Sequence, residues 1–313
     1  MAGSGWPQLQ QQIARCIADQ AADVLWLLHA LIMDRCGPPP TAGLDRDASA
    51  DDEPSMQDAQ QHDLSPAAAS RVLREARLRA GETVVDVGAG LGALTHYALE
   101  AGAKVIALER DPQRVAHLRE RFAAAIADGR VQLWEGDALL WHARMPMGWR
   151  VVANPPFNLT APLINRWLAP GPGEPPAALD LVLQREAAQK LTPRAGPQTR
   201  TSIMVALAGR ASIRMPLPRD ATTPPARVDM CVWSFRREPG EATPAELVAV
   251  DRLLAKAFAG SHTMIDAVRG LATGIQVRRQ ALAHGWRPLG HPRLLQPNHW
   301  LAFARLLIQC HKL

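Results

Sequence analysis

A mostly parallel, doubly wound α/β sheet followed by a small helical subdomain is the fold that this 313-residue sequence predicts, on three observations. Between Thr83 and Gln184, short strand-like runs alternate with helical stretches, the pattern of successive βαβ units with helices on both faces of a sheet. The first of these strands ends in a glycine-rich turn, "DVGAGLG" from Asp86 to Gly92, that leads straight into a helix. After Pro239 and Gly240 the strand pattern stops and the rest of the chain reads as helices.

The chain opens on a helical stretch over residues 9–33 that contains the apolar run "VLWLLHALIM", Val24 to Met33. That run is far shorter than the roughly 20 residues a spanning helix needs. Asp19 and Asp23 precede it, where a signal peptide would carry positive charge. It reads as an amphipathic or partner-packed helix, so no membrane association is expected. The segment from Cys36 to Gln61 is rich in Pro, Asp, Ala and Ser and reads as a disordered linker. Residues 1–60 are therefore expected to be an extension outside the main fold, with a function that the sequence leaves open.

The body follows in order. "TVVDVGA" (Thr83–Ala89) reads as a buried strand, and "GALTHYALEAG" after it as a helix ending at a glycine cap. "KVIALE" (Lys104–Glu109) is the next strand. The helix after it opens on Asp111 and Pro112, which occupy the favoured N-cap and first-turn positions. Arg130–Glu135, Trp149–Asn154 and Leu179–Gln184 read as further strands, with helices near Ala161–Leu168 and Arg185–Leu191. Val228–Arg237 is expected as a late antiparallel strand. Four helical stretches then begin at Pro244, Met264, Val277 and His299. The division expected is 1–60 extension, 61–240 sheet domain and 241–313 helical subdomain.

Charge is distributed unevenly. Lys and Arg number 35 and Asp and Glu 30, a net of +5. Residues 1–65 hold three Arg and ten acidic residues, leaving 32 basic and 20 acidic for the remainder. Only four of the cations are Lys, and Arg suits bidentate contacts with phosphate and stacking on bases. A basic body is compatible with a polyanionic partner or with an ordinary solvated surface. Arg114, Arg119 and Arg121 read as a solvated helix face, whereas Arg236, Arg237, Arg278 and Arg279 are candidate RNA contacts. The cysteines Cys16, Cys36, Cys231 and Cys310 show no paired spacing, which speaks against a zinc site or a disulfide framework and fits the cytoplasm.

Four groups fall at expected strand ends, where open α/β sheets bind ligands. The turn with Asp86, Gly88 and Gly90 allows close backbone approach, but its G-x-G-x-G spacing is one residue short of the dinucleotide fingerprint. Glu109 ends the second strand and is able to accept ribose hydroxyls; the plainer reading is an exposed strand-end acid. Asp137, in "EGDAL", is placed to accept from an adenine amino group or to serve as a turn aspartate. "NPPF", Asn154 to Phe157, sets an amide and an aromatic ring on a stiff elbow, because neither proline has an N–H to donate and each restricts the residue before it.

Taken together in this order, these blocks resemble class I S-adenosylmethionine-dependent methyltransferases that act on amino groups, with a Rossmann-like sheet. More narrowly they resemble the ribosomal RNA adenine N6-dimethyltransferase family, which includes small-subunit rRNA dimethyltransferases and macrolide-resistance rRNA methylases. The likeness runs from about Gln61 to the C-terminus through "QHDLSPAAASRVL", "DVGAGLGALT", "ALERDP", "EGDAL", "NPPFNLTAPLI", "LVLQREAAQKL", "PPARVDMCVW" and "LLQPNHWLAFARLL". It implies S-adenosylmethionine as cofactor, contacted by His62, Leu64, Gly88, Glu109, Asp137 and Asn154, with Asp86, Gly90 and Ala138 in the same loops. It implies catalysis by Asn154 and Pro155, whose carbonyl oxygens accept the amine hydrogens, with Phe157 stacked on a flipped-out adenine. It also implies ribosomal RNA as the partner, a monomer, and no metal.

The sequence departs from the family pattern at three places. Asp63 stands where the opening motif usually has an aromatic residue, Pro155 where a branched aliphatic is frequent, and "AGSHTMIDAVRG" where many relatives carry a basic cluster. Two alternatives stay open at this stage: a similar methyltransferase acting on DNA adenine or on a protein glutamine, and a non-catalytic RNA-binding factor of the same fold. The sequence gives neither the target nucleotide nor the choice between a housekeeping and an antibiotic-resistance role.

Overall fold

The computed structural model describes residues 62–168, 173–194, 196–240, 242–260 and 263–312. The helix and linker expected within residues 1–60 lie outside the described residues. The central sheet has seven strands in the order β4-β3-β2-β5-β6-β9-β7. They are β2 (Thr83–Val87), β3 (Lys104–Glu109), β4 (Val131–Glu135), β5 (Arg150–Ala153), β6 (Ala178–Gln184), β7 (Gly209–Leu217) and β9 (Met230–Arg237). β2 to β6 pair in parallel, while β9 runs antiparallel to both β6 and β7. Two short strands, β1 (Asp63–Leu64) and β8 (Thr222–Thr223), pair antiparallel beside it.

The sheet is covered on both faces, and the period of two along each strand decides which face each residue serves. Val84, Val105, Val152, Val182 and Val232 face one core. This core is closed by helices α1 (Pro66–Ala76), α2 (Ala93–Glu100) and α3 (Pro112–Arg121). Val85, Val151, Leu181, Trp233 and Phe235 face the other. There they meet α5 (Thr160–Leu168), α6 (Arg185–Leu191) and α7 (Arg200–Ala208); the short α4 (Ala123–Ala127) follows α3. The C-terminal helices α8 (Pro244–Ala257), α9 (Met264–Ala267), α10 (Gly274–His284) and α11 (Pro297–Gln309) bury Val250, Leu254, Trp300 and Phe303 in this same second core.

Capping explains where the helices begin. Ser65 accepts from the Ala68 N–H at α1 and Asp111 from the Gln113 N–H at α3, each with proline in the first turn. Thr243 with Glu246 and Thr273 with Gln276 form capping boxes at α8 and α10. The helical run expected from Met264 to Gly274 is only one turn long, because Gly270 takes φ +83° and Thr273 restarts the chain as a new cap.

Strand order and chain order together locate the ligand face. The chain builds β2, β3 and β4 outward on one side, then returns to lay β5 and β6 on the other side of β2. The switch therefore lies between β2 and β5, and their carboxyl ends frame the crevice where such sheets bind ligands.

Candidate functional site

A cavity of about 380 Å³ opens at that switch point. It gathers residues from five separated segments: His62 and Leu64; Asp86 and Gly88; Glu109; Asp137 and Ala138; and Asn154, Pro155 and Phe157. Of the site residues expected from the sequence, Gly90 alone does not line it. Gly90 sits behind the wall, where its N–H donates to Glu109 Oε2 at 2.9 Å.

The turn after β2 needs glycine for two different reasons. Gly88 takes φ +70°, and a Cβ there would meet Pro156 Cδ at 3.2 Å, so the glycine turn packs directly on the elbow after β5. Gly90 takes φ +58°, and its Cβ would fall 2.6 Å from Asp63 Oδ1. Glu109 is buried and held rigidly: Oε1 accepts the N–H groups of Arg110 at 2.8 Å and Asp111 at 3.0 Å, while Oε2 takes that of Gly90. It is a fixed acidic wall of the cavity and not a mobile surface acid.

Asp86 is buried as well. Its Oδ2 accepts from Thr95 Oγ1 at 2.8 Å, and its Oδ1 has no hydrogen-bond partner among the described residues. Burial pushes this carboxyl up to about 7 from an ordinary 3.8; the Thr95 hydrogen bond opposes the rise and Glu109 adds to it. A cavity walled by two buried carboxyl groups, one with an unmet acceptor, suits a cationic ligand with hydroxyls. Asp137 is exposed at the rim and its Oδ1 accepts the Leu139 N–H at 2.9 Å, so it is a turn aspartate that also borders the cavity.

The elbow carries the second half of the site. Asn154 Nδ2 donates to the His62 carbonyl at 2.7 Å. This bond fixes which way the amide faces, and Oδ1 accepts no hydrogen bond among the described residues. Phe157 opens a short 3-10 turn, Phe157–Leu159, and its half-buried ring lies 6.1 Å from that of His62. His62 is tied in turn by Nδ1, 3.0 Å from the Pro224 carbonyl.

Two arginines read from the sequence as part of a solvated helix face lie at the cavity. Arg114 grips Asp63 with both prongs of its guanidinium, Nη1 to Oδ1 at 2.6 Å and Nη2 to Oδ2 at 3.0 Å. Arg121 reaches the Leu91 carbonyl. The helix face expected to be solvated is thus partly turned toward the glycine turn. The available signal was Asp63 itself, an acid in a motif position where an aromatic is usual. Arg236 and Arg237, candidate RNA contacts by sequence, lie at the other end of β9 from the cavity. There Arg236 Nη2 bonds Asp180 Oδ1 at 2.8 Å and Arg237 Nη2 the Trp167 carbonyl at 3.1 Å. They are structural ties. Arg278 and Arg279 are exposed on α10. Among the described residues, no group of three or more His, Cys, Asp or Glu is placed to hold a metal ion, and no helix is long and apolar enough to cross a membrane.

The sequence model of the ribosomal RNA adenine dimethylase family matches residues 55–285. The chain belongs to this family. It is accordingly an enzyme, an rRNA adenine-N6 methyltransferase. Among curated family members, "Ribosomal RNA small subunit methyltransferase A" of Jannaschia sp. is 35% identical over 231 residues, 72% of this chain and 78% of that protein. The protein of the same name from Parasynechococcus marenigrum is 33% identical over 76% of this chain and 82% of its own. Two solved structures share the fold. The 23S rRNA methyltransferase ErmE covers 79% of this chain and all of its own at 22% identity, TM-score 0.59. A dimethyladenosine transferase from Plasmodium falciparum covers 80% of this chain and 98% of its own at 20% identity, TM-score 0.58.

Proposed function

We propose that this family member binds S-adenosylmethionine across the glycine turn and methylates the N6 amine of an rRNA adenosine held at the Asn154 elbow. The observation that carries this reading is the convergence of Asp86, Glu109, Asp137 and the Asn154–Phe157 elbow, from four different strand ends, on one cavity. The residues suit the cofactor. Asp86 offers a buried acceptor without a partner, Glu109 a rigid carboxylate, and Gly88 a backbone position where a side chain would intrude. S-adenosylmethionine, when bound, supplies the electrophilic methyl group. His62, Leu64 and Asp137 would border its nucleoside end, with Ala138 beside Asp137.

Adenine N6 is a weak nucleophile because its lone pair is delocalised into the ring. Asn154 Oδ1 and the Pro155 carbonyl are acceptors on a stiff corner with no proline N–H to compete. Accepting the two amine hydrogens there would favour a pyramidal nitrogen with its lone pair directed into the cavity. Phe157 would receive the extruded base on its face, since a base within a helical stack is out of reach. The helical subdomain, with Arg278 and Arg279 exposed on α10, would engage the RNA backbone. An rRNA substrate is met in the cytoplasm, which supports action there.

The test is transfer of labelled methyl from S-adenosylmethionine to ribosomal RNA, DNA and protein in parallel, followed by mapping of the modified base. Label is expected in rRNA, at N6 of adenosine. Label confined to protein or DNA would overturn the reading, as would an absence of measurable S-adenosylmethionine binding by calorimetry.

A further inference from the structure

We infer that Arg114 is a positioning residue for methyl transfer, acting on Asn154 through Asp63 and the His62 backbone. The inference rests on the proposed role of Asn154 as acceptor of the amine hydrogens. Three links form one line. The Arg114 guanidinium holds both oxygens of Asp63, at 2.6 and 3.0 Å. Asp63 is bonded in sequence to His62. The His62 carbonyl accepts from Asn154 Nδ2 at 2.7 Å. The far end of that amide, Oδ1, is the acceptor left to face substrate.

The orientation of an asparagine amide is decided by what its two ends meet. If the His62 carbonyl moves, nothing else among the described residues bonds Nδ2, and the amide is free to rotate and offer N–H in place of the acceptor. The Arg114–Asp63 pair limits that movement. Its two parallel hydrogen bonds define an orientation, which a single point contact does not. It is also largely withdrawn from water, with side chains 20% and 26% exposed, so it is less screened than a surface pair. It sits against Gly90, where a Cβ would strike Asp63 Oδ1 at 2.6 Å and Arg114 Nη1 at 2.9 Å, so the glycine turn backs the clasp. β1 adds a backbone tether through Asp63↔Thr223, and the His62 ring another through Nδ1, 3.0 Å from the Pro224 carbonyl; the clasp adds the side-chain tie that fixes Asp63 against the glycine turn.

The experiment compares full-length Asp63→Asn, Arg114→Gln, the double variant, the charge-reversed Asp63→Arg/Arg114→Asp, and Asn154→Ala. Each is assayed with labelled S-adenosylmethionine and ribosomal RNA. Each single clasp variant is expected to lower kcat roughly tenfold, as loss of orientation does, with KM for RNA and Kd for S-adenosylmethionine within about twofold of the parent. The double variant should be no worse than either single one, and charge reversal should recover most of kcat. Adding Arg114→Gln to Asn154→Ala should cost nothing further. Wild-type kcat in Arg114→Gln beside a collapsed Asn154→Ala would overturn the inference and leave the role of Asn154 standing. An additive loss in the combined variant would do the same. Near-wild-type kcat in Asn154→Ala would instead remove the reading on which the inference rests. Should a clasp variant fail to fold, Arg114→Lys keeps the charge but loses the fork. In that variant the Asn154 side-chain amide protons, assigned by their loss in Asn154→Ala, should exchange with water faster by NMR; unchanged exchange overturns the inference.

Discussion

Thr95 Oγ1 holds one oxygen of Asp86 at 2.8 Å, while the other oxygen of the same carboxyl is buried without a partner among the described residues. One oxygen of this group is bonded within the fold, and the other is buried without a partner among the described residues, in a residue that lines the cavity. Burial raises its pKa to about 7 from 3.8, so between these values the folded protein keeps a proton that the unfolded chain has lost. Stability from this group is therefore fully present below about pH 4 and declines as pH rises toward 7. A cationic ligand favours the charged form, so cofactor affinity should rise over the same window. Asp86→Asn should weaken S-adenosylmethionine binding at pH 8 by roughly tenfold, the equivalent of one pKa unit of charge interaction. It should flatten the pH dependence of binding and raise the thermal midpoint of the ligand-free protein at pH 8. Calorimetry and thermal unfolding at pH 6 and 8 check both; unchanged affinity would disconnect Asp86 from the cofactor.

Asn154→Ala removes the acceptor proposed to hold the reacting nitrogen and leaves the glycine turn intact. Loss of one preorganised polar contact of this kind costs about 10² to 10³ in kcat. Single-turnover methyl transfer should fall by that order, while S-adenosylmethionine affinity stays near that of the parent. A variant that keeps parental turnover would show that the amide does not hold the amine.

Much of this site was legible in the sequence because each of its parts sits where a strand ends, and strand ends are marked by local chemistry. Glycines after Val87, an acid after Leu108 and paired prolines after Asn154 all leave a signature within a few residues. The parallel strands were legible for a related reason, being short apolar runs separated by capped helices. β7 was not. It is an edge strand, its Arg and Ser side chains are largely exposed, it carries Pro216, and a bulge interrupts its register between Ile213 and Met215. An edge strand needs no apolar face and tolerates proline, so it lacks the pattern that marks a central one. The Asp63–Arg114 clasp was hidden differently. Its partners are 51 positions apart, and nothing local distinguishes Arg114 from its neighbours Arg119 and Arg121.

Gly88 links the two halves of the site, so its substitution should damage both. At φ +70° an alanine bears roughly 1–2 kcal/mol of backbone strain. Its Cβ would also press on Pro156 Cδ at 3.2 Å and displace the elbow. Gly88→Ala is expected to weaken S-adenosylmethionine binding and to lower kcat at saturating cofactor. Gly81 is the control: it takes φ +84°, but nothing lies within 4 Å of an added Cβ. Gly81→Ala should cost stability alone. Equal losses of activity in the two variants would point to strain and remove the contact with Pro156 from the explanation.

Phe157 tests base extrusion separately from the chemistry. Its ring is half-buried at the cavity wall, 6.1 Å from His62, and bears no polar atom that could assist the reaction. Whatever it contributes must come from packing on the fold or on the substrate. Stacking of a base on an aromatic side chain is worth about 1–3 kcal/mol, so Phe157→Ala should reduce kcat/KM for rRNA by roughly tenfold to a hundredfold. The ring reads no base edge, so Phe157→Tyr should restore most of that loss, whereas Phe157→Leu, apolar but without a π-face, should not. A core role would give the opposite order, with Leu tolerated and every loss mirrored in the melting temperature. Methylation of a short single-stranded RNA containing the target adenosine sharpens the comparison. The base there is already unstacked, so the alanine variant should lose less than it does on folded rRNA. An equal loss on both substrates would mean that Phe157 does not help to draw the base out of its stack.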